Sequence, residues 1–331
     1  MMTIPVTMRA LEQTSGDGPQ DMRLITDAPV PSPGPGEVLI RVEAAGVNFA
    51  DISRAHGTFG NGPRPPYIAG FETAGEIVAV GAEVSGHQPG TRVAGIGDGV
   101  FAEYALLRAA AMIPVPPGWT SAQALGVMVN WPTALAALKP LGELTAGQTV
   151  VIPAAAGATG QAAVRIAKHY GATVIATAAA GKHDTVRALG ADHVLDSRGG
   201  DFTAEVLRLT DGLGADLVLE CAGGAGFDAS LAAAKRVTGR VVVYGVAGGT
   251  APLTNWDLVY RHQIHLIGLN IGVLAQTAPD IFGAVLTELF GLIGAGVLVP
   301  AEPTTYDLAD GPKALAELET RATVGKLALL P

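Results

Sequence analysis

Thr149-Val150-Val151-Ile152-Pro153-Ala154-Ala155-Ala156-Gly157-Ala158-Thr159-Gly160-Gln161 is the stretch on which the fold turns. A β-branched run of strand length ends at Pro153, and beyond the small residues Ala163, Ile166, Ala167 and Tyr170 recur at helical spacing. Gly157 and Gly160 fill the second and third positions of a G-x-G-x-x-G pattern, while Ala155 stands where the first glycine belongs. Such a strand-to-helix turn lets backbone N–H groups and the helix N-terminus meet a pyrophosphate. Gly157, Ala158, Thr159 and Gly160 are therefore the expected phosphate contacts, although an ordinary Gly/Ala turn has the same composition.

Outward from this turn, apolar runs at Thr149–Pro153, Thr173–Thr177, His193–Asp196, Asp216–Glu220, Arg240–Tyr244 and His265–Leu269 predict six strands. Helices fill the intervals, including Lys182–Leu189, and another is expected over Asp280–Gly294. Strands alternating with helices predict a doubly wound parallel sheet, a Rossmann-type α/β domain over residues 123–297. Before it, β-branched runs at Val38–Val42 and Thr73–Val80 are bounded by Pro and Gly and predict a β-rich region over residues 1–122. Residues 298–331 turn mixed again, with a helix at Lys313–Arg321 and a strand at Lys326–Leu330. At 331 residues the chain exceeds one hydrophobic core, which agrees with two domains.

The end of the second Rossmann strand selects the cofactor. An acid there would accept the adenosine ribose hydroxyls and repel a 2′-phosphate. Ala176-Thr177-Ala178-Ala179-Ala180-Gly181-Lys182 has none, and Lys182 and Arg198 are the cations nearest to the strand ends. Both can pair with a phosphate, so NADPH is expected over NADH; the alternative is that they are solvated surface charges.

Composition removes several classes. With 21 basic against 30 acidic residues the net charge is −9 and no basic run exists, so nucleic acid and acidic lipid surfaces are not expected partners. No apolar segment approaches the length of a membrane helix and no leader pattern opens the chain, so a cytoplasmic location is expected. A single cysteine, Cys221, excludes an intrachain disulfide and any multi-cysteine metal site, and it reads as a small core residue of a strand.

Several blocks resemble the medium-chain dehydrogenase/reductase superfamily. Ala45-Gly46-Val47-Asn48-Phe49-Ala50-Asp51 is similar to its turn near the nicotinamide, and Ile68-Ala69-Gly70-Phe71-Glu72-Thr73-Ala74-Gly75 to the block that begins G-H-E in zinc alcohol dehydrogenases. Pro89-Gly90-Thr91-Arg92-Val93, Leu189-Gly190-Ala191-Asp192 and Val218–Gly224 also agree. The resemblance covers nearly the full chain and implies a GroES-like β-rich catalytic domain joined to the Rossmann domain. Zinc members carry a cysteine where Asn48 stands and a histidine where Phe71 stands, so no catalytic metal is expected here.

Together with the A-A-G-x-x-G turn, these replacements resemble the quinone oxidoreductase, ζ-crystallin-like branch. A quinone or α,β-unsaturated carbonyl delocalises the charge that hydride delivers, so it needs no Lewis acid. The implied activity is two-electron, NADPH-dependent reduction of quinones or other conjugated carbonyls. One alternative is an enoyl thioester or enone reductase, against which Phe59 counts, since it stands where such enzymes carry a tyrosine donor. Another is a non-catalytic NADPH-binding sensor or structural protein. By resemblance, Asn48 and Thr133 contact the nicotinamide or the acceptor oxygen, the alternatives being a turn-forming Asn and an ordinary first-turn helical Thr. Gly245 and Val246 after the fifth strand approach the cofactor, since Gly permits close backbone contact, and Asn270 at the close of the sixth lines the same cleft. Asp51 and His56 are candidate acids or relays, with water as the other proton source. The apolar edge run His265–Leu269 implies a homodimer through paired strands.

Overall fold

The computed structural model describes residues 3–331 except Asn61. The chain packs as two units, Met1–Met128 with Pro300–Pro331, and Val129–Val299. In chain order the first carries β1 (Thr7–Gln13), β2 (Met22–Pro29), β3 (Glu37–Val47), α1 (Phe49–Ala55), β4 (Tyr67–Ile68), β5 (Glu72–Val80), β6 (Arg92–Ile96), β7 (Tyr104–Arg108) and β8 (Met112–Pro114). The second carries α2 (Asn130–Leu138), β9 (Thr149–Ile152), α3 (Ala158–His169), β10 (Thr173–Ala178), α4 (His183–Ala188), β11 (His193–Asp196), α5 (Phe202–Leu209) and β12 (Leu217–Glu220). It continues with α6 (Phe227–Ala232), β13 (Arg240–Val243), β14 (His265–Gly268), α7 (Ile271–Thr277) and α8 (Pro279–Gly294). The first unit then resumes with β15 (Thr304–Asp307), α9 (Gly311–Glu319) and β16 (Leu327–Leu330).

In the first unit one sheet runs β15-β16-β3-β5-β6-β8, with β7 also on β3, and a second runs β2-β1-β4. β3 explains itself by period two. Val38, Ile40 and Val42 enter the main core with Phe101, Leu107, Leu327 and Leu329. Leu39 points the other way, against Met8, Ala10 and Tyr104. Val38–Ile40 is an apolar run covered on both faces, while the partly exposed Arg41 and Glu43 restore the alternation further along the strand. β16 lies antiparallel to β3, with Leu327 opposite Val47 and Ala328 opposite Gly46.

In the second unit the strands run β11-β10-β9-β12-β13-β14, which in sequence is the 3-2-1-4-5-6 order of a Rossmann sheet. All five pairings are parallel. Val150, Val151, Ile152, Val174, Ile175, Leu217, Val218 and Leu219 have no exposed surface, as expected of central parallel strands. All six strands fall within one residue of the runs that predict them.

Two local readings change. The expected helix Lys182–Leu189 splits into a 3-10 turn over Ala180–Lys182 and α4, because Lys182 leaves helical geometry at φ −113°, ψ 2°. Cys221 lies one residue past β12 and is half-buried, not a core strand residue; its Sγ is 3.9 Å from the Pro153 carbonyl oxygen. Among the described residues no single helix is long and apolar enough to cross a membrane, though α7 and α8, bent by 119°, pass on length and composition together.

Candidate functional site

Apart from Thr133 on α2, the candidates of the second unit follow the carboxyl ends of the parallel strands, where ligands of this architecture bind. After β9, Ala154 takes a left-handed conformation at φ 49° and the Ala155 N–H donates to Thr177 O at 3.0 Å, tying the turn to β10. Gly157 caps α3, which starts at Ala158. The first-turn N–H groups of a helix have no intrahelical acceptor and are the natural donors to an anion. Gly160 belongs to packing: a Cβ there would stand 2.5 Å from Ala154 O and 2.6 Å from Ala155 Cα. Ala155, fully buried, shows that this turn tolerates a methyl group at the first position. Thr159 Oγ1 accepts from Asn130 Nδ2 at 3.2 Å.

Lys182 and Arg198 follow β10 and β11, and the two cations are electrostatic neighbours. Burial, and then the Arg198 guanidinium, hold the Lys182 ammonium below its usual range. Two cations thus stand near the end of a strand, Thr177–Ala178, that carries no acid.

The other candidates of this unit have local duties. Thr133 is buried and its hydroxyl donates to Val129 O at 2.6 Å, within α2. Gly245 is required by the backbone, since a Cβ would meet Cys221 O at 2.5 Å, and Val246 after it is 52% exposed. Asn270 caps α7 by accepting from Val273 N–H at 3.1 Å.

In the first unit Asn48 is the N-cap of α1, and its backbone N–H donates to Asp51 Oδ2 at 2.9 Å, half of a capping box. Its side chain is 6% exposed and turned into a buried ionic cluster. Nδ2 donates to Glu72 Oε2 at 2.8 Å and to Gly46 O at 3.3 Å. Oδ1 accepts from Lys326 Nζ at 2.8 Å. The Lys326 ammonium also donates to Glu72 Oε2 at 2.6 Å and Val47 O at 3.2 Å, and Glu72 Oε1 accepts from the Gly126 N–H at 2.6 Å.

Asp51 is 2% exposed and its Oδ1 has no partner. Burial pushes its carboxyl up to about 7, against the pull of the Asn48 N–H and of the Arg54 and Lys326 charges, with Glu72 adding to the rise. Asp51 is therefore partly protonated near neutrality. His56 parts company with this pair. It closes α1 at the surface, where Nε2 lies 2.8 Å from Glu319 Oε1.

Glu72 and Lys326 are the residues that sequence reasoning passed over as parts of a glycine-rich block and a terminal strand. The usable signal is a Lys at the mouth of a wholly apolar strand, Leu327–Leu330, and a Glu inside a buried run.

A tetrahedral zinc takes N, S or carboxylate donors. Phe71 offers a ring, over which the Arg54 guanidinium sits at 4.8 Å, and Asn48 Oδ1 faces an ammonium that repels a dication. Among the described residues no group of three His, Cys, Asp or Glu side chains converges on one point. These residues do not fit a catalytic zinc.

Residues 34–117 match the alcohol dehydrogenase GroES-like domain, and residues 158–287 match the zinc-binding dehydrogenase domain, whose named metal the donor set above does not fit. A mycobacterial protein solved in complex with NADPH is 33% identical, with a TM-score of 0.91 over 98% of this chain and 100% of that one. This chain belongs to the medium-chain dehydrogenase/reductase superfamily. Another structure of this superfamily fold, the quinone oxidoreductase of Pseudomonas syringae pv. tomato, is 29% identical with a TM-score of 0.91, over 98% of this chain and 100% of that one. Erythronolide synthase EryA2 of Saccharopolyspora erythraea is 36% identical over 99% of this chain, which spans only 9% of that protein's length. The shared Rossmann sheet and GroES-like domain make this medium-chain chain a member of an oxidoreductase family.

Proposed function

We propose that this chain is an NADPH-dependent reductase of quinones or other conjugated carbonyls that works without zinc. Residues 123–297 serve as the NADPH-binding domain, and residues 1–122 with 298–331 as the catalytic domain. The observation that carries the cofactor is the pair Lys182 and Arg198, brought together where β10 ends without an acid. The first-turn amides of Ala158, Thr159 and Gly160 would hold the pyrophosphate, and the two cations the 2′-phosphate. Bound there, NADPH supplies a hydride.

Because the donor set does not fit a metal, the acceptor must itself spread the incoming charge, and quinones and enones do so. Asn48 contributes a fixed amide and Asp51 a proton that it still holds near neutrality. The solved relatives named for NADPH and for quinone oxidoreduction support this reading. Likeness to a span of a biosynthetic synthase supports enoyl thioester reduction as a second reading. Phe59 weighs against it, as a ring 37% exposed beneath the Arg54 guanidinium with no proton to give. A second copy is proposed to pair along β14, which ends its sheet with Leu266 and Ile267 half-buried.

The test is oxidation of NADPH and of NADH at 340 nm against a benzoquinone, an ortho-quinone, simple enones and crotonyl thioester, after chelation. NADPH-selective quinone turnover that survives chelation is expected. Turnover with the thioester alone would transfer the activity to the second reading, and tight NADPH binding with no turnover on any acceptor would overturn both. Light scattering at the mass of one 33.5 kDa chain would refute the dimer.

A further inference from the structure

The Lys326–Glu72 ion pair is almost wholly enclosed, with side chains 10% and 2% exposed. A buried pair of this kind is poor evidence for stability, since desolvation offsets most of the attraction, and its retention calls for another account. The geometry around Asn48 supplies one. The three hydrogens of the Lys326 ammonium match three oxygens, Glu72 Oε2, Asn48 Oδ1 and Val47 O. Asn48 thus has an ammonium on its carbonyl side and a carboxylate on its NH2 side. Rotating the amide by half a turn would set NH2 against the ammonium and Oδ1 against the carboxylate, two repulsive contacts in place of two charge-assisted hydrogen bonds.

The backbone is shaped to admit this arrangement. The β16–β3 register delivers Lys326 beside Val47 and Asn48. Gly46 has no side chain where a Cβ would stand 2.5 Å from Glu72 Oε2 and 3.1 Å from Lys326 Cε.

We infer that Lys326 is a positioning residue which, with Glu72 as counter-charge, fixes the single orientation in which the Asn48 amide meets the reacting molecule. The inference rests on the proposal that Asn48 contacts cofactor or acceptor. Lys326 itself acts only through Asn48.

The experiment is a double-mutant cycle in the full chain, with Asn48→Ala, Lys326→Met and the two combined. Lys326→Met leaves Glu72 uncompensated, so Lys326→Met with Glu72→Gln is made as a neutral pair, and Lys326→Arg as the conservative variant. Thermal midpoints check folding, and kcat and KM are read for NADPH and a quinone. A second readout, independent of turnover, is solvent exchange of the Asn48 side-chain amide protons by NMR, identified by their loss in Asn48→Ala.

On this account Asn48→Ala lowers kcat about 10-fold or more, and the neutral pair lowers it by a similar factor at an unchanged midpoint. Combining them adds nothing further, amide exchange quickens in the neutral pair, and Lys326→Arg recovers most of the loss. If Asn48→Ala is impaired and the other losses multiply with it, Lys326 does not act through Asn48 and the inference falls alone. If Asn48→Ala leaves kcat and both KM values unchanged, the Asn48 proposal falls and takes the inference with it.

Discussion

Asp51→Asn removes a proton-binding group that folding has moved far from its ordinary range. An unperturbed aspartate titrates near ~3.9, and burial pushes Asp51 up to about 7. Between those values the folded chain keeps a proton that the unfolded chain has lost. Stability therefore falls as pH rises, by about 1.4 kcal/mol per pH unit, and levels off above the folded value. Over the roughly 3 units involved the cost reaches about 4 kcal/mol, present in full at pH 8 and absent at pH 4.

The substitution retains a side-chain oxygen to accept the Asn48 N–H, so the capping box stays intact while the titration is lost. Urea unfolding of both proteins at pH 4, 5.5, 7 and 8, followed by circular dichroism, reads the difference, and titrations common to both cancel. The stability of Asp51→Asn relative to the parent should climb by several kcal/mol from pH 4 to pH 8. Two curves that stay parallel across that range would show that Asp51 ionises freely in the folded protein, and the argument from its burial would be wrong.

Lys182→Ala and Arg198→Ala should each raise KM for NADPH about 10-fold, or about 1.4 kcal/mol, while leaving KM for NADH within about 2-fold; equal effects on both cofactors would remove the 2′-phosphate from this pair. Gly46→Ala drives a methyl group against Glu72 and Lys326, so its thermal midpoint should drop by an amount equivalent to about 1–3 kcal/mol. An unchanged midpoint would mean that the ion pair shifts freely. Gly160→Ala places a methyl against the Ala154 carbonyl and should abolish NADPH retention in equilibrium dialysis or unfold the second unit, whereas retention at parental affinity would show that the turn has slack.

The parallel sheet was legible because its central strands are buried on both faces and must be spelled in apolar residues, as in Thr149–Ile152 and Leu217–Glu220. The turn after β9 was legible for a related reason, since backbone crowding at Gly160 admits one residue type. What escaped depends on long-range register. Nothing local to Asn48 announces that Lys326 covers its carbonyl, because that contact is made by strand pairing across 278 residues of chain. His56 is near Asp51 in sequence, yet the end of α1 turns it toward Glu319 on α9. Cys221 reads as core until the strand is seen to stop one residue before it. Asp51 was a candidate acid from its residue type and its place in the sequence, and its distinguishing property, near-complete burial, comes from the assembled first unit.

The residues that neutralise Glu72 reach the ribosome exit late. Lys326 follows Glu72 by 254 residues, with the whole Rossmann unit between them. At roughly 5–20 residues per second, that gap corresponds to about 13–50 seconds of synthesis. Throughout this interval β5 carries a carboxylate whose counter-charge does not yet exist, and β3 lacks the strand that will flank it at Val47. Asn48 and Glu72 thus acquire the ammonium they share only after every residue of the second unit has been synthesised.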